Sequence, residues 1–380
     1  VTMARATARE IEIDRRMTVQ TKPPPITCAA VVACVLGCND LPELRYETEH
    51  LRIGTASDGL LCQGNLDHYE RLITTLEQQL GTSVRTPIHV YLWDESRFFP
   101  DSGWCDDSLI GCYRQGAVYA DFISIEHELV HAVVDTFATP TPFWSEGAAM
   151  ALGSSRTFFG ETSPVDNLDL HASPQLDYRP AGHFSRWLLE THGLELYREL
   201  LRARGSSREA FERTYDMTME EAQELYFAEA PHAYGALNTC DHPDLPQTGD
   251  LQWSETIEID CAAPNVWGTS QVIGALRVLT VTERGFYELT TTEQEGAIIP
   301  CFDEDLEHPV LVGDPNYGDV PPASGGFLQV FTGDRGKSVL ELVPGRYELS
   351  IAHEGHETRT AALTVRAATG PIPQTPESAG

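Results

Sequence analysis

Between residues 51 and 236 the chain alternates short apolar runs with longer segments whose apolar residues recur every three or four positions. Leu66, Tyr69, Leu72, Ile73, Leu76 and Leu80 fall at helical spacing, and Gly81 stops that helix. The run 88–93 is apolar without a break and predicts a buried strand, with a second strand near 117–122. Helical spacing dominates thereafter, over roughly 124–137, 145–152, 181–192, 194–204, 208–214 and 218–229. A Pro-, Gly- and Asp-rich stretch at 241–250 predicts a domain boundary. Beyond it the period shortens to two. Residues 346–351 alternate after a Pro344-Gly345 turn, Tyr287 and Leu289 do so after Arg284-Gly285, and Leu363 and Val365 repeat the pattern. The expectation is an α+β chain: a mixed domain over 51–236, a β-sandwich over 250–368 and a Pro-rich disordered tail over 369–380.

Composition fits two globular domains: 380 residues, 41% hydrophobic and 22% charged. With 26 basic against 57 acidic residues the formal charge is -31, which excludes partners that need a basic footprint, nucleic acid above all. Only Lys22 and Lys337 are lysines and the first residue is Val1, a pattern expected of a GC-rich bacterial frame with an alternative start; Met17 is the plausible true start. Lys22, Pro23 to Pro25 and the apolar run 26–36 follow it. That run falls short of the about 20 residues needed to span a bilayer and fits a secretory signal. It ends in Val35-Leu36-Gly37-Cys38, which resembles a bacterial lipobox. Residues 1–37 are therefore expected to be a signal region, Cys38 a lipidated N-terminus and 38–50 a tether. The protein would be exported and held at the cell envelope, touching the membrane through Cys38 only. Six cysteines remain beyond Cys38, namely Cys62, Cys105, Cys112, Cys240, Cys261 and Cys301. An even number in an exported chain predicts disulfides, with Cys105–Cys112 the local guess.

The sharpest chemical signal is His127-Glu128-Leu129-Val130-His131, an H-E-x-x-H string inside a helical pattern whose Ile125, Leu129, Val133 and Phe137 can pack inward. Imidazoles at i and i+4 project from one face, close enough to share a zinc ion. Glu128 is rotated beside them, where a carboxylate can take a proton from water. Two unrelated histidines on one helix would give the same string, so the downstream sequence decides. Zinc needs a third protein ligand and an open position. After Thr139-Pro140-Thr141-Pro142 the chain reads Phe143-Trp144-Ser145-Glu146-Gly147-Ala148-Ala149, a new helix with small residues just behind a carboxylate. Small residues let two helices approach closely, as a bridging metal requires, and Glu146 is the natural third ligand.

These residues resemble the gluzincin metallopeptidases, in which H-E-x-x-H is followed by a second helix carrying a ligand Glu. Residues 127–135 are similar to the thermolysin-type active helix, and Trp144-Ser145-Glu146-Gly147-Ala148-Ala149 to the Trp-x-x-Glu-Gly-x-Ala pattern of the aminopeptidase-like branch, one residue shorter. Ala181-Gly182-His183-Phe184-Ser185-Arg186-Trp187-Leu188 resembles the helix that follows. The likeness spans roughly 51–230. It implies a zincin-like domain of small sheet plus helices, Zn2+ on His127, His131 and Glu146, Glu128 as general base, and a peptide or protein substrate. A transition-state donor is expected beyond Glu146, with Tyr178, His171 and His183 as candidates, and the strand at 117–122 is expected to pair with extended substrate. There are departures. Val134 and Phe137 exclude a metzincin, only 14 residues separate His131 from Glu146, and Met150 stands where a thermolysin-type chain has an Asp behind the ligand. No aminopeptidase motif precedes the helix, which favours an endopeptidase. Asp135, four residues after His131, reads either as a group hydrogen-bonding near a ligand or as a solvated helix end. The alternative function is a catalytically inactive zincin-like lipoprotein acting as a binding or surface module. A second string, His353-Glu354-Gly355-His356, has the wrong spacing and falls in an expected hairpin turn.

Overall fold

The structure is a computed structural model that describes residues 41–56, 61–93, 105, 110–153, 157–158, 163–168, 176–231, 233–234, 240–269, 271–293, 295–301, 328–331 and 337–368. The expected signal region 1–37, Cys38, His171 and the tail 369–380 lie outside the described residues. What is described is mixed α and β.

The first part contains β1 (Leu44–Glu47), β2 (Leu51–Thr55), α1 (Gln63–Leu80), β3 (Ile88–Trp93), β4 (Gly111–Arg114), β5 (Ala117–Asp121), α2 (Ile125–Asp135), α3 (Pro142–Gly153), β6 (Thr157–Phe158), α4 (Pro164–Asn167), α5 (Tyr178–His192), α6 (Leu194–Arg202), α7 (Ser207–Tyr215), α8 (Met219–Glu229) and β7 (Ala233–Tyr234). Five strands form one sheet in the order β1-β2-β3-β5-β4, the central three parallel and the two edges antiparallel. One apolar core joins Leu51, Ile53, Val90, Leu92, Val118 and Ala120 of the sheet to the buried faces of the helices. A smaller cluster holds Trp93, Cys105 and Tyr119, with Tyr91 stacked on Tyr119 at 5.4 Å.

Three expectations shift. The segment 38–50 is not simply a tether, because its residues 44–47 pair with β2 as an edge strand. The helix expected from 145 begins at Pro142, whose missing N–H is harmless at a first helical position. The helix expected from 181 begins at Tyr178, because the Asp177 side chain caps it on the Arg179 N–H.

The second part contains β8 (Gln247–Gly249), β9 (Gln252–Ile259), β10 (Val266–Gly268), β11 (Val272–Val281), β12 (Gly285–Thr291), β13 (Glu295–Pro300), β14 (Leu328–Phe331), β15 (Lys337–Leu342), β16 (Gly345–Glu354) and β17 (Arg359–Ala367). They make two five-stranded antiparallel sheets, β10-β11-β16-β13-β14 and β15-β12-β17-β9-β8. Ile273, Leu279, Leu349 and Ile351 of one sheet share a core with Trp253, Ile257, Leu363 and Val365 of the other, which is a β-sandwich. The boundary stretch 241–250 is not a free linker: Leu245 is buried, its N–H donates to Val278 O, and Cys240 is bonded to Cys301. His353 is buried beside the β16–β17 turn, where its Nε2 contacts Glu357 O, so the second histidine string is structural.

The two parts are locked together at the start of α1. Cys62 is bonded to Cys261, Gly268 N–H donates to Asn65 Oδ1 at 2.7 Å, and a Cβ at Gly64 would stand 2.5 Å from Val266 O. Cys105–Cys112 pairs as expected, so the six cysteines form three disulfides. Among the described residues, no helix is long and apolar enough to cross a membrane.

Candidate metal centre

The turn between β5 and α2 fixes the direction of the motif helix. Asp121 Oδ1 accepts the backbone N–H groups of Ile123 and Ser124, and the Ser124 hydroxyl donates to Ile110 O. Ile125, Leu129, Val130 and Val133 are fully buried, which leaves His127 and His131 together on the adjoining face. After a six-residue connection α3 packs back against α2. Phe143 and Trp144 sink into the core, with Trp144 Nε1–H donating to Ser207 O at 3.0 Å, and this turns Glu146 toward the histidines.

The three donor atoms converge. His127 Nε2 lies 3.0 Å from Glu146 Oε2, His131 Nε2 lies 3.3 Å from the same oxygen, and the two Nε2 atoms are 3.2 Å apart. Tetrahedral donors about 2.0–2.1 Å from zinc stand about 3.3 Å from one another, so the triangle has the size that zinc requires. Two imidazoles and a carboxylate, each 13–20% exposed, are also the right chemistry. Burial works to raise the Glu146 carboxyl, but hydrogen bonds and attraction from His127 and His131 outweigh it and hold it at about 2. For His131 burial opposes the charged form, yet Glu146 and the charge of Glu128 raise it above the ordinary imidazole value.

Glu128 is buried, and burial is the main cause of a carboxyl raised above its usual range; the Tyr113 N–H that it accepts works the other way. This places β4 against Glu128. A Cβ at Gly111 would meet Ser124 Oγ at 2.7 Å and Glu128 Oε1 at 3.0 Å, so the strand passes here because residue 111 has no side chain. The expected substrate-pairing strand at 117–122 needs correction: β5 is flanked by β3 and β4, and among the described residues β4 is the outermost strand next to the site.

Of the donor candidates, Tyr178 joins the site. Its ring stacks on His127 at 6.0 Å and 14°. His183 does not. It is fully buried, bonded through Nδ1 to the Tyr226 hydroxyl at 2.8 Å and packed 4.7 Å from the Tyr234 ring, so it offers no surface to a substrate. Asp135 is exposed and accepts the Tyr113 hydroxyl at 3.0 Å, a contact to β4 and not to a ligand. Gly147, read as easing α3 onto α2, instead faces α5, where a Cβ would meet Ser185 Oγ at 2.3 Å and Ala181 O at 2.9 Å. Gly153 is the residue that lets α3 close on α2.

Sequence reasoning missed Ser145, whose Oγ lies 3.1 Å from His131 Nδ1. It also missed β4, too short to show alternation. A second group of metal-binding types, Glu49, His50 and Glu70, is already engaged: Glu70 accepts from His50 Nδ1, the Thr48 hydroxyl and the His50 N–H, clamping the β1–β2 turn to α1. No family model matches the chain, and neither does any curated protein.

Proposed function

We propose that this protein is a zinc-dependent endopeptidase of the gluzincin type, exported and tethered to the bacterial cell envelope through a lipid on Cys38. The observation that carries the proposal is the donor triangle of His127, His131 and Glu146, with the Glu128 carboxylate on the next helical position. A mixed sheet packed on helices, with its edge strand β4 beside the motif helix, supports a zincin-like description of residues 51–236. Three disulfides support export, since such bonds persist in oxidising compartments.

His127, His131 and Glu146 would hold the metal. When bound, zinc supplies Lewis-acid polarisation of a substrate carbonyl and acidifies a water molecule. Glu128 accepts the proton as water adds to the carbonyl carbon, then delivers it to the amine nitrogen as the C–N bond breaks. Its raised carboxyl suits both halves of that transfer. An extended peptide lies along β4, which is held on one side by β5 and anchored through Cys112 to Cys105. Tyr178, held over His127, donates its hydroxyl to the oxygen that gains charge.

The test compares the purified wild type with Glu128→Gln for zinc content and for cleavage of an unfolded protein substrate. Zinc in both, with cleavage lower by about a hundredfold or more in the variant, is the expected result. Equal behaviour of the two zinc-loaded proteins sinks the peptidase proposal and leaves an inactive zincin-like binding module.

A further inference from the structure

We propose that Ser145 is the positioning residue of the metal centre: its hydroxyl orients the His131 ring and fixes its tautomer. The inference rests on the zinc proposal above and concerns how this chain prepares its second ligand.

The argument starts from the ring. His131 Nε2 is the nitrogen that faces His127 Nε2 and Glu146 Oε2, so it is the one that presents a lone pair to a cation. The hydrogen of the neutral imidazole must then sit on Nδ1. The His131 side chain is only 13% exposed, so that N–H needs an acceptor inside the protein or it is left with a desolvation penalty. Ser145 Oγ, 3.1 Å away, meets the need.

Among the described residues, the two other acceptors that the sequence suggests do not serve it. Asp135, on the same helix one turn on, is exposed and engaged with the Tyr113 hydroxyl. Position 150, where the resemblance leads one to expect a carboxylate, holds Met150. The acceptor comes instead from the residue before the third donor. That placement has a consequence. Ser145 and Glu146 are consecutive on the first turns of α3, and α3 is anchored by Trp144 to Ser207 and through the Ser145 N–H to Thr141 O. One rigid turn therefore delivers both the third donor and the acceptor that prepares the second. His127 is steadied differently, by the stacked Tyr178 ring.

Partners of this kind typically change metal affinity about 10–100-fold when removed. The experiment measures the zinc dissociation constant of the full chain by competition with a chromophoric chelator, and the visible spectrum of the Co2+ form. The proteins are wild type, Ser145→Ala and the isosteric pair Ser145→Thr and Ser145→Val. We expect Ser145→Ala and Ser145→Val to bind zinc about 10–100-fold more weakly with an altered Co2+ spectrum, and Ser145→Thr to stay close to wild type. Because the Thr and Val variants share one shape, a packing defect alone would affect both equally. Equal zinc affinity of those two, or of wild type and Ser145→Ala, overturns the role of Ser145 while leaving the metal centre standing. A wild type that binds no zinc overturns the metal proposal itself, and the role of Ser145 with it.

Discussion

Replacing Gly153 by Ala tests whether close contact between α2 and α3 sets the donor triangle. Gly153 lies on the last turn of α3, pressed against the start of α2. A methyl group there would stand 2.6 Å from Glu126 O, 2.7 Å from Val130 Cγ2 and 2.9 Å from Glu126 C. None of these can step aside cheaply. Two are helix backbone, and Val130 is fully buried with a β-branched side chain that has one favoured rotamer in a helix. A carbon–oxygen contact relaxes at about 3.3 Å, so the helices must part by roughly 0.7 Å at this point. Overpacking costs about 1–3 kcal/mol, and the better helix propensity of Ala returns up to about 1 kcal/mol. A net loss of about 1–2 kcal/mol lowers Tm by about 2–8 °C for a domain of this size. The metal centre is more sensitive, since zinc–ligand distances tolerate only about 0.2 Å. Zinc affinity should therefore fall by at least about tenfold. Thermal unfolding of the metal-free protein and a zinc competition titration measure the two effects. Gly116→Ala is the control: at φ +81° it carries backbone strain but has nothing within 4 Å of the added carbon, so zinc affinity should hold. A Gly153→Ala protein with wild-type Tm and wild-type zinc affinity would refute the geometry.

Other consequences follow from the same contacts. Zinc must displace a proton that Glu146 and Glu128 help to hold on His131, so its affinity should fall as pH drops through a value above the ordinary 6.5; affinity that stays flat on both sides of that pH contradicts this. Tyr226→Phe removes the buried bond to His183 Nδ1 and should cost about 1–3 kcal/mol in thermal unfolding, with zinc affinity unchanged. A loss of zinc affinity in that variant would return His183 to the site. Replacing both Cys62 and Cys261 by Ser opens a link between residues 199 apart and should cost about 2–5 kcal/mol, with the sandwich and the helical part melting separately in calorimetry. A single unshifted transition would show that the remaining contacts suffice.

What could be read from the chain and what could not divides along the distance over which each feature is decided. The H-E-x-x-H string puts two imidazoles on one face through the helical repeat alone, and Glu146 follows because the short connection after α2 allows α3 only to fold back on it. The candidate metal centre is thus a property of about 20 consecutive residues, 127–146, and local pattern was enough to bring its three donors together. Ser145 belongs to the same segment, but a hydroxyl beside a ligand carries no pattern of its own until the ring it faces is known. His183 misled for the opposite reason. It sits on a helix with both apolar and polar neighbours, and its complete burial depends on a hydroxyl 43 residues away. Gly147 faces α5 and Gly153 faces α2, because the side of α3 that each occupies is fixed by packing. The edge strand is the most consequential case. Strand order is settled between segments far apart, and β4, four residues long with its Gly111 against Glu128, slips outside β5 only because the parallel pairing of β2, β3 and β5 fills the middle. The groups expected to bind metal were therefore legible from spacing, whereas the surface expected to receive a substrate was not. Mutations that test the proposed catalysis can be chosen from the motif. Those that test the proposed substrate surface are chosen on β4.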